Sequence, residues 1–173
     1  DDVTLVVDHE MPDHGIRVAD DVTLSVLNGG HASQLRALVH LIKATQPDCI
    51  VSALSSSNAK MAIAAFAAGL SKRHIMTWHG FPQAEKSFMS RLGYWMSPVA
   101  GRISAHSICV SDALLRAMRA RGIPESQSSR IYNPVDVVTE RIETRGIDIQ
   151  KPVVMSAGRL AMVKDFPTLL DAF

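Results

Sequence analysis

The 173-residue chain holds only two cysteines, Cys49 and Cys109, each inside an apolar run. That excludes a disulfide framework, and both thiols read as small buried hydrophobes of a reducing compartment. Aromatics are scarce at 5% and the formal net charge is +1, so no basic surface for bulk nucleic-acid binding is expected. No apolar run approaches the ~20 residues of a membrane span. No leader pattern opens the chain, and the expectation is a soluble, cytoplasmic protein. Short catalytic signatures are missing as well. Asn28-Gly29-Gly30-His31 lacks the dinucleotide and Walker spacings, and no serine-elbow motif occurs. His9 and His14 flank Pro12 at a spacing of five, which does not share a helix face, so no metal site is expected there.

What remains is an ordinary α/β composition. Hydrophobic residues make up 47% and charged residues 20%, enough for one sizeable core in a chain of one domain and a little more. Residues 3–7 and 22–27 are β-branched and leucine-rich runs that read as strands. Residues 9–21 between them carry Pro12 and Gly15 and read as loop. Leu35, Leu38, Val39 and Ile42 mark one face of a helix over 31–45. Strand patterns recur at 49–53, 74–78, 107–110 and 130–133. An alanine-rich helix over 59–68 ends at Gly69, and its apolar character predicts burial between neighbours. A helical region over 85–104 should break or kink near Pro98 and Gly101. Ser111 is placed to cap a further helix that carries Leu114, Leu115 and Met118.

Alternating apolar strands and helices predict an α/β, doubly wound parallel sheet with right-handed crossovers. Residues 1–133 form that domain, 134–151 form a linker with Pro134 and Gly146, and 152–173 begin a second α/β domain. In the last segment Val153, Val154 and Met155 read as a buried strand, and Gly158 as a tight turn. Asp165 and Pro167 open a helix that carries Leu169, Leu170 and Phe173. Arg159 and Lys164 put two cations around the turn, suited to an anion at a helix N-terminus or simply solvated on a loop. The chain opens almost directly in a strand and closes inside a helix, so it reads as a piece of a larger protein.

Ligands of such sheets bind outside the carboxyl ends of the strands. Three loops lie there. The first, Ser55 to Asn58, reads as a helix cap or as a ligand loop through Ser56 and Asn58. The second is His79-Gly80, where the glycine lets a ligand approach and the histidine can act on it or merely satisfy carbonyls. The third is Gly158-Arg159 with Lys164. Separately, Phe88, Leu92, Trp95, Met96 and Val99 fall on one helical face. That face reads as packed on the sheet or, with Lys86 and Arg91 nearby, as a membrane or lipid-acceptor surface over 86–99.

Several of these stretches together resemble a family. Gly158-Arg159-Leu160, Lys164-Asp165-Phe166, Leu169-Leu170 and Ala172-Phe173 resemble the opening of the second domain of group-one, family-four retaining glycosyltransferases of the GT-B fold. Ile131 to Asp136 resembles the stretch before that domain. Gln46 to Val51, Trp78-His79-Gly80 and Ile108-Cys109-Val110-Ser111 resemble its first domain, in the right order. The resemblance implies two Rossmann-like domains facing across a cleft, the first for the acceptor and the second for the nucleotide-sugar. It implies that Arg159 and Lys164 hold the donor diphosphate beside Gly158. It implies that His79 reaches toward the donor sugar, with Ser56, Asn58 and Gly80 on the acceptor side.

The same resemblance implies a glycosyltransferase that moves a sugar from a nucleotide-diphosphate donor to a glycan or lipid-linked acceptor with retention. No obligatory metal is implied, because fixed cations stabilise the leaving diphosphate, and no nucleic-acid partner. The family's glycine-rich loop and late paired glutamates are absent from the sequence, so the chain alone is expected to be inactive. A nucleotide-sugar epimerase of the same fold and a non-catalytic nucleotide or phosphosugar binder are the competing expectations.

Overall fold

The computed structural model describes residues 2–9, 18–84, 87–135, 154–158 and 164–172. The chain divides into two compact units, 1–134 and 135–173. The linker expectation falls largely on 136–151, outside the described residues.

The first unit runs β1 (Val3–Val7), β2 (Val22–Val26), α1 (His31–Thr45), β3 (Ile50–Ala53), α2 (Ser55–Ala67), β4 (His74–Trp78), α3 (Phe88–Ile103), β5 (His106–Cys109), α4 (Asp112–Ala120) and β6 (Ser128–Arg130), with three short 3-10 turns between. All pairings among the described residues are parallel. β1 and β2 form one two-stranded sheet, and β3-β4-β5-β6 form a four-stranded sheet in sequence order. This is an α/β, Rossmann-like parallel architecture. Because strands β3 to β6 advance in one direction, right-handed crossovers put α2, α3 and α4 on one face.

That face holds the core. Met76, Trp78 and Cys109 of the strands pack with Ala62 of α2, Tyr94 and Ala100 of α3, and Leu114 and Met118 of α4. A second cluster joins Leu38 and Ile42 of α1 with Ile50, Ala64 and Ala65, and Val6 of β1 packs against it. Elsewhere on the strands Val3, Leu5, Leu24 and Val51 are exposed.

Local chemistry explains the elements. α2 ends in a Schellman motif: Gly69 takes φ +78°, its N–H reaches the Phe66 carbonyl and the Leu70 N–H reaches Ala65. Ser111 caps α4 by accepting the Leu114 N–H at 3.2 Å. α2 lies between α1 and α3 as its composition predicts, but Ile63 and Phe66 face out.

Several expectations are corrected. α3 does not break at Pro98. The carbonyl of Tyr94, which proline cannot serve, accepts the Ser97 hydroxyl at 2.7 Å and the Arg121 guanidinium at 3.1 Å. Nor does α3 bury its aromatic stripe. Its inward face is Gly93, Tyr94, Ser97, Ala100 and Gly101, while Phe88, Trp95 and Val99 are exposed. Close packing on α2 demands this choice, because a Cβ on Gly93 would stand 2.2 Å from the Ser55 carbonyl oxygen. Cys49 is exposed at the foot of β3, unlike buried Cys109, whose thiol burial pushes up to about 11 in spite of the Arg119 charge. The sixth strand starts two residues earlier than the sequence pattern places it and ends at Arg130.

In the second unit, residues 154–157 form no strand, since no second strand lies beside them among the described residues. α5 (Phe166–Asp171) forms with Pro167 in its first turn. Asp165 precedes it at φ 47° and makes no side-chain cap, unlike the expected N-cap bond.

Candidate functional site

The parallel strands bring the residues after β3, β4, β5 and β6 to one end of the four-stranded sheet. Four of the sequence candidates belong to this end. They do not play equal parts.

Asn58 is a correction. Ser55 to Asn58 is not a loop but the first turn of α2, entered through Leu54 at φ 72° without a side-chain cap. Asn58 is fully buried, and both ends of its amide are occupied. Its Nδ2 donates to the Thr77 carbonyl at 2.9 Å, which forces Oδ1 toward Ser52, whose hydroxyl donates to it at 2.7 Å. An amide buried and engaged in this way pins α2 to β3 and β4 and does not face a ligand. Ser56, two residues earlier on the same turn, is partly exposed.

The Ser52 hydroxyl belongs to a longer buried chain. With its proton on Asn58, Ser52 Oγ can only accept from His74 Nε2, at 2.7 Å. The ring's Nδ1 then accepts from the Ser104 hydroxyl at 3.0 Å. Every donor in the series has one direction, and His74 is held neutral. Burial lowers its pKa from 6.5 to about 4.

His79 and Gly80 stand just beyond β4. His79 is exposed. Its Nε2 lies 3.1 Å from Thr77 Oγ1, and that hydroxyl donates to the Ser52 carbonyl at 2.9 Å. Gly80 is fixed through its carbonyl, which accepts the hydroxyl of Tyr94 on α3. Tyr94 in turn tilts against Trp78 with centroids 5.3 Å apart. An open groove lies next to them, lined by Pro82, Phe88, Arg91, Leu92, Trp95 and Arg121. The histidine, a glycine with a pinned carbonyl, and an aromatic-basic groove are thus consecutive along the chain.

Residues 2–138 match the family model described as Glycosyltransferase Family 4. The chain belongs to that family. Among solved structures, that of UDP-N-acetylglucosamine 2-epimerase from Rickettsia bellii is similar at 15% identity with a TM-score of 0.44, covering 67% of this chain and 31% of that one. The chain therefore spans under a third of that enzyme's length. No curated protein matches the chain.

Gly158 and Lys164 lie in the second unit. The structure brings these two together: a Cβ on Gly158 would meet Lys164 Cγ and Cδ at 3.5 Å, so the lysine stem lies along the glycine. Arg159 and Lys86 lie outside the described residues.

Sequence reading missed two polar clusters. After β1, Lys60 Nζ donates to both Asp8 carboxylate oxygens at 2.7 and 2.8 Å and to Gln34 Oε1 at 2.7 Å. All three ammonium donors are used, so the cluster ties β1 to α1 and α2. Beside β6, Arg130 pairs with Asp112 at 3.3 Å and lies 4.2 Å over the Tyr132 ring, whose hydroxyl also reaches Asp112. Neither has a local spacing that a sequence could show. Thr77 did carry a signal, since it lies two residues from His79 and a strand puts such residues on one face.

Proposed function

We propose that this chain supplies the acceptor side of a retaining glycosyltransferase that uses a nucleotide-diphosphate sugar. One observation carries the reading: in a member of this family, an exposed histidine with one ring nitrogen anchored stands at the carboxyl end of β4, beside a groove of aromatic and basic side chains. His79 hydrogen-bonds a hydroxyl of the reacting sugars, and Ser56 and Gly80 border the acceptor. Gly158, Arg159 and Lys164 take the donor diphosphate. As the glycosidic bond breaks, negative charge grows on the leaving diphosphate, and fixed cations stabilise it. No metal is then needed for that role, and the departing phosphate assists removal of the acceptor proton.

The test is a panel of nucleotide-diphosphate sugars presented to the full-length protein, read by nucleoside diphosphate release and by the anomeric configuration of the product. One donor should turn over with retention. Arg159→Ala with Lys164→Ala should lower kcat/KM by about 10²–10³-fold, the range for removing positioned charge from a transition state. Unchanged turnover in that double variant would remove the diphosphate site, and interconversion of free sugar-nucleotide epimers without transfer would replace the reading with epimerisation.

A lipid-linked acceptor is favoured by α3. Phe88, Trp95 and Val99 project outward along one side, with Arg91 exposed beside them. Apolar and cationic groups so arranged bind the interface of anionic bilayers. Co-sedimentation with vesicles containing anionic lipid should be weakened about tenfold by Phe88→Ser with Trp95→Ser, two large apolar groups being lost. Equal binding by the variant would take the membrane away from α3. Among the described residues no helix is long and apolar enough to cross a membrane.

A further inference from the structure

We infer that Thr77 is a positioning residue for His79, and that it makes the site one for a hydroxyl donor. A threonine hydroxyl has one proton and accepts through its lone pairs. The Ser52 carbonyl, 2.9 Å from Thr77 Oγ1, can only accept, so the proton of Thr77 lies there. Toward His79 Nε2, 3.1 Å away, Thr77 can then only accept. Nε2 must carry a proton, so in the neutral ring Nδ1 is bare. That atom has no partner among the described residues, and the side chain is exposed. What His79 offers a ligand is therefore a lone pair, which takes an alcohol O–H and turns away a carbonyl or phosphate oxygen.

The anchor is stiff. Ser52 pairs with Met76 in the sheet, and its own side chain is locked between Asn58 and His74. The ring orientation is thus inherited from the buried part of the sheet through one hydroxyl. With the pattern reversed, a ring protonated on Nδ1 would present a donor, and the site would select an anionic or carbonyl oxygen instead. The inference deepens the proposed role of His79 and rests on it for its meaning in turnover, but the protonation state stands or falls by itself.

The experiment uses the chain labelled with ¹⁵N-histidine and assigned by His79→Gln. The neutral form of the wild-type ring should show nitrogen shifts of a histidine protonated at Nε2 with a bare Nδ1. Its Nε2–H proton should be visible because exchange with water is slowed. Thr77→Ser keeps the hydroxyl and should keep both signatures. Thr77→Val should lose the protected proton and relax toward a mixture of tautomers, with amide dispersion confirming the fold. A ring protonated at Nδ1 in wild type, or an Nε2–H equally protected in Thr77→Val, overturns the inference. Should Thr77→Val not fold, the wild-type and serine spectra still decide. In the full-length protein, Thr77→Val should reduce kcat/KM about tenfold and Thr77→Ser under about twofold, since a misplaced catalytic group is costly. An Nε2–H signature together with full activity in His79→Ala would leave the positioning intact and remove the proposed function.

Discussion

His74 and His79 bracket β4, one beginning the strand and the other just past its end, and they share a residue type but almost nothing else. His74 is wholly buried, with both nitrogens bonded to the serines Ser52 and Ser104. His79 is exposed, with one nitrogen bonded to Thr77. Burial makes the charged form of His74 costly, so its ring is a neutral connector between β3, β4 and the residue after α3. His79 keeps a nitrogen for a ligand. The difference lies in what surrounds each end of a parallel strand. At the amino end Ser52 and Ser104 enclose the ring, whereas the carboxyl end opens where the chain leaves for α3. Ser52 joins the two ends, giving its hydroxyl to the buried network and its carbonyl to Thr77.

The largest effect is expected at the buried end. The folded pKa of His74, about 4, lies below the unfolded value of 6.5. The unfolded chain therefore takes up a proton first as pH falls. The stabilisation is complete above pH 6.5 and is lost as pH drops toward 4, with a span of about 3 kcal/mol for a shift of that size. His74→Phe keeps an aromatic ring, at some cost in added bulk, but leaves the Ser104 and Ser52 hydroxyls short of a partner, a loss of about 2–3 kcal/mol at pH 7. Urea unfolding at pH 7 and 4.5 reads both effects: the variant should start lower and show a flatter pH dependence than wild type. If the two slopes coincide, His74 is not the group that couples folding to acid.

Legibility in the sequence divides along the same line. Strands with continuous apolar runs, the Ser111 cap and the glycine after α2 are readable, because each is decided by neighbours in the chain. His79 and Gly80 are readable as candidates from their place after an apolar strand. Asn58 looks like a ligand residue in sequence because its burial depends on Ser52 and the Thr77 carbonyl, which only the sheet brings to it. The unbroken helix through Pro98 is hidden for a similar reason, since Arg121 reaches Tyr94 from beyond α4. Nor can spacing tell the outward aromatic face of α3 from a core face. Periodicity shows that a stripe exists, and Gly93 against Ser55 decides which side turns inward.

The smallest effect belongs to the open end and sharpens the contrast most. His79→Ala removes an exposed ring and a single hydrogen bond to Thr77, whose hydroxyl keeps the Ser52 carbonyl. No cavity forms and no buried group is orphaned, so the stability read from urea unfolding should move by no more than about 0.5 kcal/mol. The pH slope should match wild type, since His74 still titrates. A loss comparable to that of His74→Phe would mean that the ring is part of the fold after all, and that the carboxyl end of β4 is closed by packing as the amino end is. Stability held near wild type, alongside lost turnover in the full-length protein, is the pattern of a residue retained for its ligand and not for the sheet.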